Sequence, residues 1–343
     1  MTLRRLAETF GFALAGGLGP GLAGVPAGYL SGSVLAVAVA ALAGRPMLVP
    51  GALARLIFII IGISLGAVVT PAMLHGMASY PFSLAVLLVA MACIGSGGAF
   101  YLRTVHGWSK LEAQLASSPG AMSQVLILAA ELGADLRPIA IVQSIRVVII
   151  AVGLPTGLSL FGFAGHVSRP PVGPLTFAMM DELAILIVAS AVGAVVAQWL
   201  RVPGGLLFGA MLMSAMLHGT GLIHAILPPW VANAAALALG AVIGARFANM
   251  PMRMMMNMMG AAFGSFAVAV AIAAVFGALL VETLSLRVAE VMIAFAPGSV
   301  DAMMLLALAL NLDPVYVGTH HIMRIIFVSL TMPFVARRAA KNP

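Results

Sequence analysis

The chain is 343 residues long, 62% hydrophobic and only 8% charged, with a formal net charge of +7. A soluble domain carries roughly 25% charged residues, so this composition cannot clothe a water-facing surface and points to an integral membrane protein whose first partner is the lipid bilayer. Basic residues punctuate the ends of apolar runs instead of gathering into one face or tail, which argues against direct nucleic-acid binding. The single cysteine, Cys93, lies inside an apolar run, leaving neither a disulfide framework nor a cysteine-ligated metal site.

In chain order, Arg4-Arg5 followed by apolar residues resembles a secretory signal, but Gly21 to Ala27 recurs later in the chain, so the segment reads as a retained first span. Apolar runs predict spans near 8–24, 27–44, 52–71, 80–101 and 138–161, and again near 178–200, 204–222, 229–247, 258–281 and 314–336. Runs of about 18 to 24 residues at 1.5 Å per residue are long enough for a hydrocarbon core of about 30 Å. Stretches such as Leu56 to Val69 and Ala267 to Leu280 are apolar on every face, which favours helices over barrel strands. The Pro-rich connection from Gly165 to Gly173 divides two membrane halves, 1–165 and 174–343.

The halves are copies. Residues 112–155 return 178 positions later as 290–333: Glu112 answers Glu290, Pro119-Gly120 answers Pro297-Gly298, Asp135 answers Asp313, Arg146 answers Arg324 and Pro155 answers Pro333. The same register links Gly62 and Gly66 to Gly240 and Gly244, and a register one shorter links Val25-Pro26 to Val202-Pro203. Repeats of this length are the mark of a two-fold membrane carrier scaffold.

Segments 112–134 and 290–312 either cross the membrane or dip into it and return. Counted as crossings, they give six spans per half and put Arg137, Arg201, Arg246 and Arg253 outside, against the positive-inside rule. Treated as re-entrant, they give five crossings per half, invert the second half and leave only Arg169 and Arg287 outside. Both segments carry Pro-Gly near the middle, where proline removes a donor and glycine frees the next residue to bend, so the helix must break. Broken backbone at membrane depth needs protein or a wet cavity around it, and two matching breaks mark a binding site.

The first break offers Ser117, Ser118, Pro119, Gly120, Ser123 and Gln124: hydroxyls, an amide and the unpaired N–H groups of a helix start, donors that suit an anion. The second offers Pro297, Gly298, Ser299 and Asp301, with Asp301 standing where the first half has Ser123. Asp301 is either a proton or sodium coupling site or a helix-capping carboxylate. Arg146 and Arg324 lie eight and ten residues into their spans, and arginine at such depth costs about 2.5–3.5 kcal/mol on insertion scales. Each therefore holds either a substrate anion or a structural carboxylate, with Glu112, Glu290 and Asp301 as the acids in reach.

Other features weigh less. Seven methionines between Met250 and Met259 fit an adaptable span entrance better than a Cu(I) site. His320 and His321 point about 100° apart on a helix, so one at most faces a given cavity, and His321 is kept among the site residues. The glycine-rich stretch from Gly16 to Gly21 lacks the Lys-Ser/Thr of a phosphate loop and serves close helix packing or a bend. No metal or cofactor is expected.

The stretches Ala116 to Met122, Ala140 to Arg146, Ala296 to Met303 and His320 to Arg324 resemble the AbrB-type membrane proteins, a family described as a membrane-protein duplication, over nearly the whole chain. Members carry labels of ammonia monooxygenase and of regulator of gene expression; the family shares its name with an unrelated small DNA-binding regulator. The seven histidines show no three-ligand spacing, which argues against the oxygenase and against an enzyme. The regulator label is compatible with a carrier that alters an internal metabolite. The expectation is an all-α bundle in a bacterial inner membrane, both termini cytoplasmic, with two inverted repeats of about five spans plus a broken re-entrant helix each. It would act as a secondary carrier of a small ion or organic anion; the alternative is a membrane-embedded sensor that binds the same ligand and moves nothing.

Overall fold

The computed structural model describes residues 2–69, 80–119, 122–162, 177–202, 204–248 and 250–341, the side chains of Thr2, Ser123, Gln124, Phe177, Ala178, Met179 and Lys341 excepted. Among them every regular element is helical, and six helices are long and apolar enough to cross a membrane. The first seven helices are α1 (Thr2–Leu22), α2 (Gly28–Leu42), α3 (Gly51–Gly66), α4 (Tyr80–His106), α5 (Lys110–Ser117), α6 (Met122–Glu131) and α7 (Leu136–Leu160). The next seven are α8 (Phe177–Trp199), α9 (Gly205–Gly219), α10 (Pro229–Gly244), α11 (Met252–Leu284), α12 (Val288–Phe295), α13 (Val300–Ala309) and α14 (Pro314–Lys341), with a 3-10 turn, Ala245–Phe247, after α10. Shifted by 178, the bounds of α3, α5 and α6 fall on those of α10, α12 and α13 residue for residue.

The boundaries depart from expectation where capping decides them. α2, α3 and α9 hold 15, 16 and 15 residues and rise only about 23 Å, short of the hydrocarbon thickness. Glycines in the left-handed region, Gly44 (φ 83°) and Gly221 (φ 70°), follow α2 and α9 two residues past their last helical residue. α11 is longer than its apolar run, because methionine is a good helix former and no proline intervenes between Pro251 and Ser285. The proposed linker between halves, 165–173, lies outside the described residues.

The chain forms two compact units, each drawing on both halves. The first comprises 1–77, 151–249 and 300–318, so it contains α1–α3, α8–α10 and α13. In it α1 packs on α2 as α8 packs on α9, and α2 packs on α10 as α9 packs on α3. The matched glycines explain why: a Cβ on Gly62 would run into the Leu207 carbonyl, and one on Gly66 into that of Met211. In the copy, Gly240 and Gly244 approach the Leu30 and Val34 carbonyls in the same way. Small residues let the backbones touch, the usual device of apolar helix pairs in lipid.

The second unit comprises 78–150, 250–299 and 319–343. Here α4 packs on α11, α5 on α4 and α12 on α11. α5 starts on an N-cap serine: Ser109 Oγ accepts from the Glu112 amide at 3.2 Å and donates to Glu112 Oε2 at 2.9 Å. α7 and α14 start on matching aspartates. Asp135 Oδ1 accepts from the Arg137 amide at 3.0 Å, and in the first unit Asp313 Oδ1 accepts from the amides of Val315 and Tyr316 at 2.8 and 3.1 Å.

Candidate anion-binding site

Both Pro-Gly segments interrupt a helix as their sequence requires. α5 ends at Ser117 and α6 starts at Met122; α12 ends at Phe295 and α13 starts at Val300. Proline bars the preceding residue from the helical region, and both residues in question are extended: Ser118 at φ −55°, ψ 127° and Ala296 at φ −58°, ψ 130°. A helix stopped this way leaves its last carbonyls without amide partners.

Side chains from α7 and α14, in the second unit, take those carbonyls. Gln143 Nε2 donates to Leu115 O at 2.9 Å and Arg146 Nη2 to Ser118 O at 3.0 Å. In the copy, His321 Nε2 donates to Ile293 O at 3.2 Å and Arg324 Nη1 to Ala296 O at 2.6 Å. Donor and acceptor are 28 residues apart in all four bonds, and each member of one pair stands 178 positions from its counterpart. Arg324 makes a further bond, Nη2 to Gly298 O at 2.7 Å. A cation at a helix C-terminus is also favoured by the aligned peptide dipoles.

Among the described residues these clasps leave several buried polar atoms without a partner: Arg146 Nε, Arg324 Nε, Gln143 Oε1, His321 Nδ1, Ser118 Oγ and Ser299 Oγ. Arg146 and Arg324 are 7% and 2% exposed, and their charges repel each other. Among the described residues of this unit neither guanidinium pairs with a carboxylate. The Glu112 carboxylate accepts from the Ser109 hydroxyl and the Asp135 amide, and Glu290 is ion-paired with Arg287, so these two acids are engaged at helix starts instead. Two buried cations with open N–H groups and no carboxylate are chemically prepared for an anion.

The other residues singled out in the sequence are distributed as follows. Ser117 turns its hydroxyl back to Ala113 O at 2.6 Å. Pro119, Pro297 and Gly298 are buried at the breaks. Gly120 and the side chains of Ser123 and Gln124 lie outside the described residues. Asp301 is half-buried in the first turn of α13, in the first unit, where the charge acting on it is that of Arg246. His320 bonds Ser83 Oγ at 2.9 Å while His321 turns to α12, so the two adjacent rings do separate. Gln143 and Arg246 were not foreseen. Gln143 was legible as the residue standing in the position of His321, three before the arginine.

A family profile described as "Transition state regulatory protein AbrB" matches residues 29–340. The chain is 26% identical over 321 residues to the Escherichia coli (strain K12) protein named "Putative regulator AbrB", covering 91% of this chain and 90% of that one. It is 23% identical over 288 residues to the Bacillus subtilis (strain 168) protein named "Uncharacterized protein YhjN", covering 80% and 75%. No solved structure matches.

Proposed function

The chain belongs to the AbrB family, as a polytopic membrane-like helical protein, and from that premise we propose that it is a secondary carrier of a small anion. The observation carrying this reading is the pair of buried, mutually repelling guanidiniums at the two interrupted helices, unpaired with any carboxylate of their unit among the described residues. Leaving two cations buried without a counter-charge is costly, and a bound anion removes the cost. In this reading Arg146 and Arg324 hold the anion, Ser118 and Ser299 offer hydroxyls, and Asp301 titrates with a coupling proton or sodium ion.

The two half-helices before the breaks, α5 and α12, hold eight residues each and rise about 12 Å, which suits re-entrant elements. In this reading five crossings per half invert the second copy and keep most basic residues and both termini cytoplasmic, the arrangement of a bacterial inner-membrane protein. The partnerless atoms are shut off from solvent, so a ligand reaches them when the interrupted segments part, as alternating access demands.

The test is reconstitution into proteoliposomes with radiolabelled acetate, lactate and phosphate as probes. Protein-dependent uptake of at least one, lost in Arg146→Gln and Arg324→Gln and uncoupled from the ion gradient in Asp301→Asn, is the expected result. Binding without flux would assign a sensor, and neither binding nor flux would end the anion reading.

A further inference from the structure

Two of the partnerless atoms at the breaks accept hydrogen bonds and cannot donate them. A backbone carbonyl only accepts, so the bond from Gln143 to Leu115 O orients its NH2 group there and leaves Oε1 without a donor. The bond to Ile293 O places the ring proton of His321 on Nε2, and a neutral ring then carries a bare lone pair on Nδ1. Three residues further along each helix, one turn on and on the same face, stands an arginine whose Nε–H lacks an acceptor. Each copy thus pairs a cationic donor with a neutral acceptor, and the serine hydroxyls can serve either way.

Taking the anion reading above as its basis, we propose that the site selects a small oxyanion bearing a hydrogen-bond donor of its own, such as a 2-hydroxycarboxylate or a protonated oxyanion. An anion without such a hydrogen satisfies the two Nε–H groups but turns its negative charge on the lone pairs of Gln143 and His321. An anion with a hydroxyl satisfies donors and acceptors together. The selection comes from the penalty on the wrong ligand, because a buried polar atom left unmatched costs more than a good bond gains. Gln143 and His321 are therefore the specificity-determining residues, filling one role in the two copies with different side chains.

The experiment measures thermal unfolding of the purified full-length protein in detergent, titrated with lactate against propionate and with phosphate against sulfate at constant ionic strength. Lactate over propionate identifies a hydroxy acid; phosphate over sulfate identifies a protonated oxyanion. Half-maximal stabilisation at a concentration at least about tenfold lower for the donor-bearing member of a pair is expected. Gln143→Met and His321→Met should bring that ratio toward one, while the exchanges Gln143→His and His321→Gln should keep it. Equal stabilisation within both pairs overturns the donor requirement and leaves the anion carrier standing. No stabilisation by any of the four overturns both. A ratio unchanged in both methionine variants overturns the assignment of the acceptors, and the wild-type comparison decides even where a variant fails to fold.

Discussion

Replacing each buried arginine by glutamine separates the bonds it makes from the charge it carries. Arg324 donates to two carbonyls, Ala296 O and Gly298 O, whereas Arg146 donates to one, Ser118 O. Both substitutions remove one buried charge and the same mutual repulsion, so these contributions largely cancel when the two variants are compared. The remaining difference is one charge-assisted hydrogen bond, and Arg324→Gln should destabilise by about 1.5–3 kcal/mol more than Arg146→Gln. Alternative partners in the unfolded membrane state bring this toward the lower end. The repulsion appears in the double variant, because each single substitution relieves it in full while the double relieves it only once. The double loss should therefore exceed the sum of the singles, on the order of 1–2 kcal/mol at an effective dielectric of about 20. SDS-titrated unfolding followed by circular dichroism measures all four proteins. An Arg146→Gln loss equal to or larger than that of Arg324→Gln, or a double loss below the sum, would refute the clasp and the proximity of the charges.

Gly62→Ala should cost about 1–3 kcal/mol, since its methyl would meet the Leu207 carbonyl, whereas Gly11→Ala, with nothing within 4 Å, should gain up to about 1 kcal/mol in thermal unfolding. Asp313→Ala should cost about 1–2 kcal/mol and more than Asp135→Ala, because it caps two amides instead of one; the same melts compare them. In Glu182→Ala the amides of His224 and Ala225, both now bonded to Glu182 Oε2, should exchange hydrogen at least about tenfold faster, and unchanged protection would show that the carboxylate does not hold that turn. Asp301→Asn removes a charge that acts on Arg246 without a direct salt bridge among the described residues and should cost up to about 1 kcal/mol in SDS-titrated unfolding. Asp301→Ser combined with Arg246→Val, which installs the residues of the first half at both places, should lie closer to wild type than Asp301→Asn does.

Helix existence was legible because apolarity on every face and Pro-Gly interruptions are local properties. The register of 178 predicted which helices would match, and it linked Gly62 to Gly240, but the carbonyls these glycines pack against came only from the structure. Helix length was less legible: α2, α3 and α9 stop two to five residues short of the apolar runs 27–44, 52–71 and 204–222. The partners of Arg146 and Arg324 were sought among carboxylates because a sequence displays side chains, whereas the groups they bind are main-chain carbonyls uncovered only when proline ends a helix. Gln143 escaped notice for a related reason. Glutamine in an apolar helix signals little alone, and its meaning comes from standing where the other copy has a histidine making the same bond.

What the two copies share and where they diverge concern different things. The shared bonds, from positions 143 and 146 and from 321 and 324, hold the interrupted helices in shape, and both copies need them because both helices break. The divergence is in charge: Asp301 stands where the first half has Ser123, and Arg246 where it has Val68. A carboxylate added alone at membrane depth is expensive, as is an arginine, but the two act on each other within the first unit and offset part of that expense. Two opposite charges in one copy, at positions uncharged in the other, are more economical as a pair than either one alone. A duplicated scaffold that treated both membrane faces alike would have no use for such an asymmetry. In the carrier reading proposed above, the asymmetry would let the coupling ion load through one copy and the anion through the shared arginines.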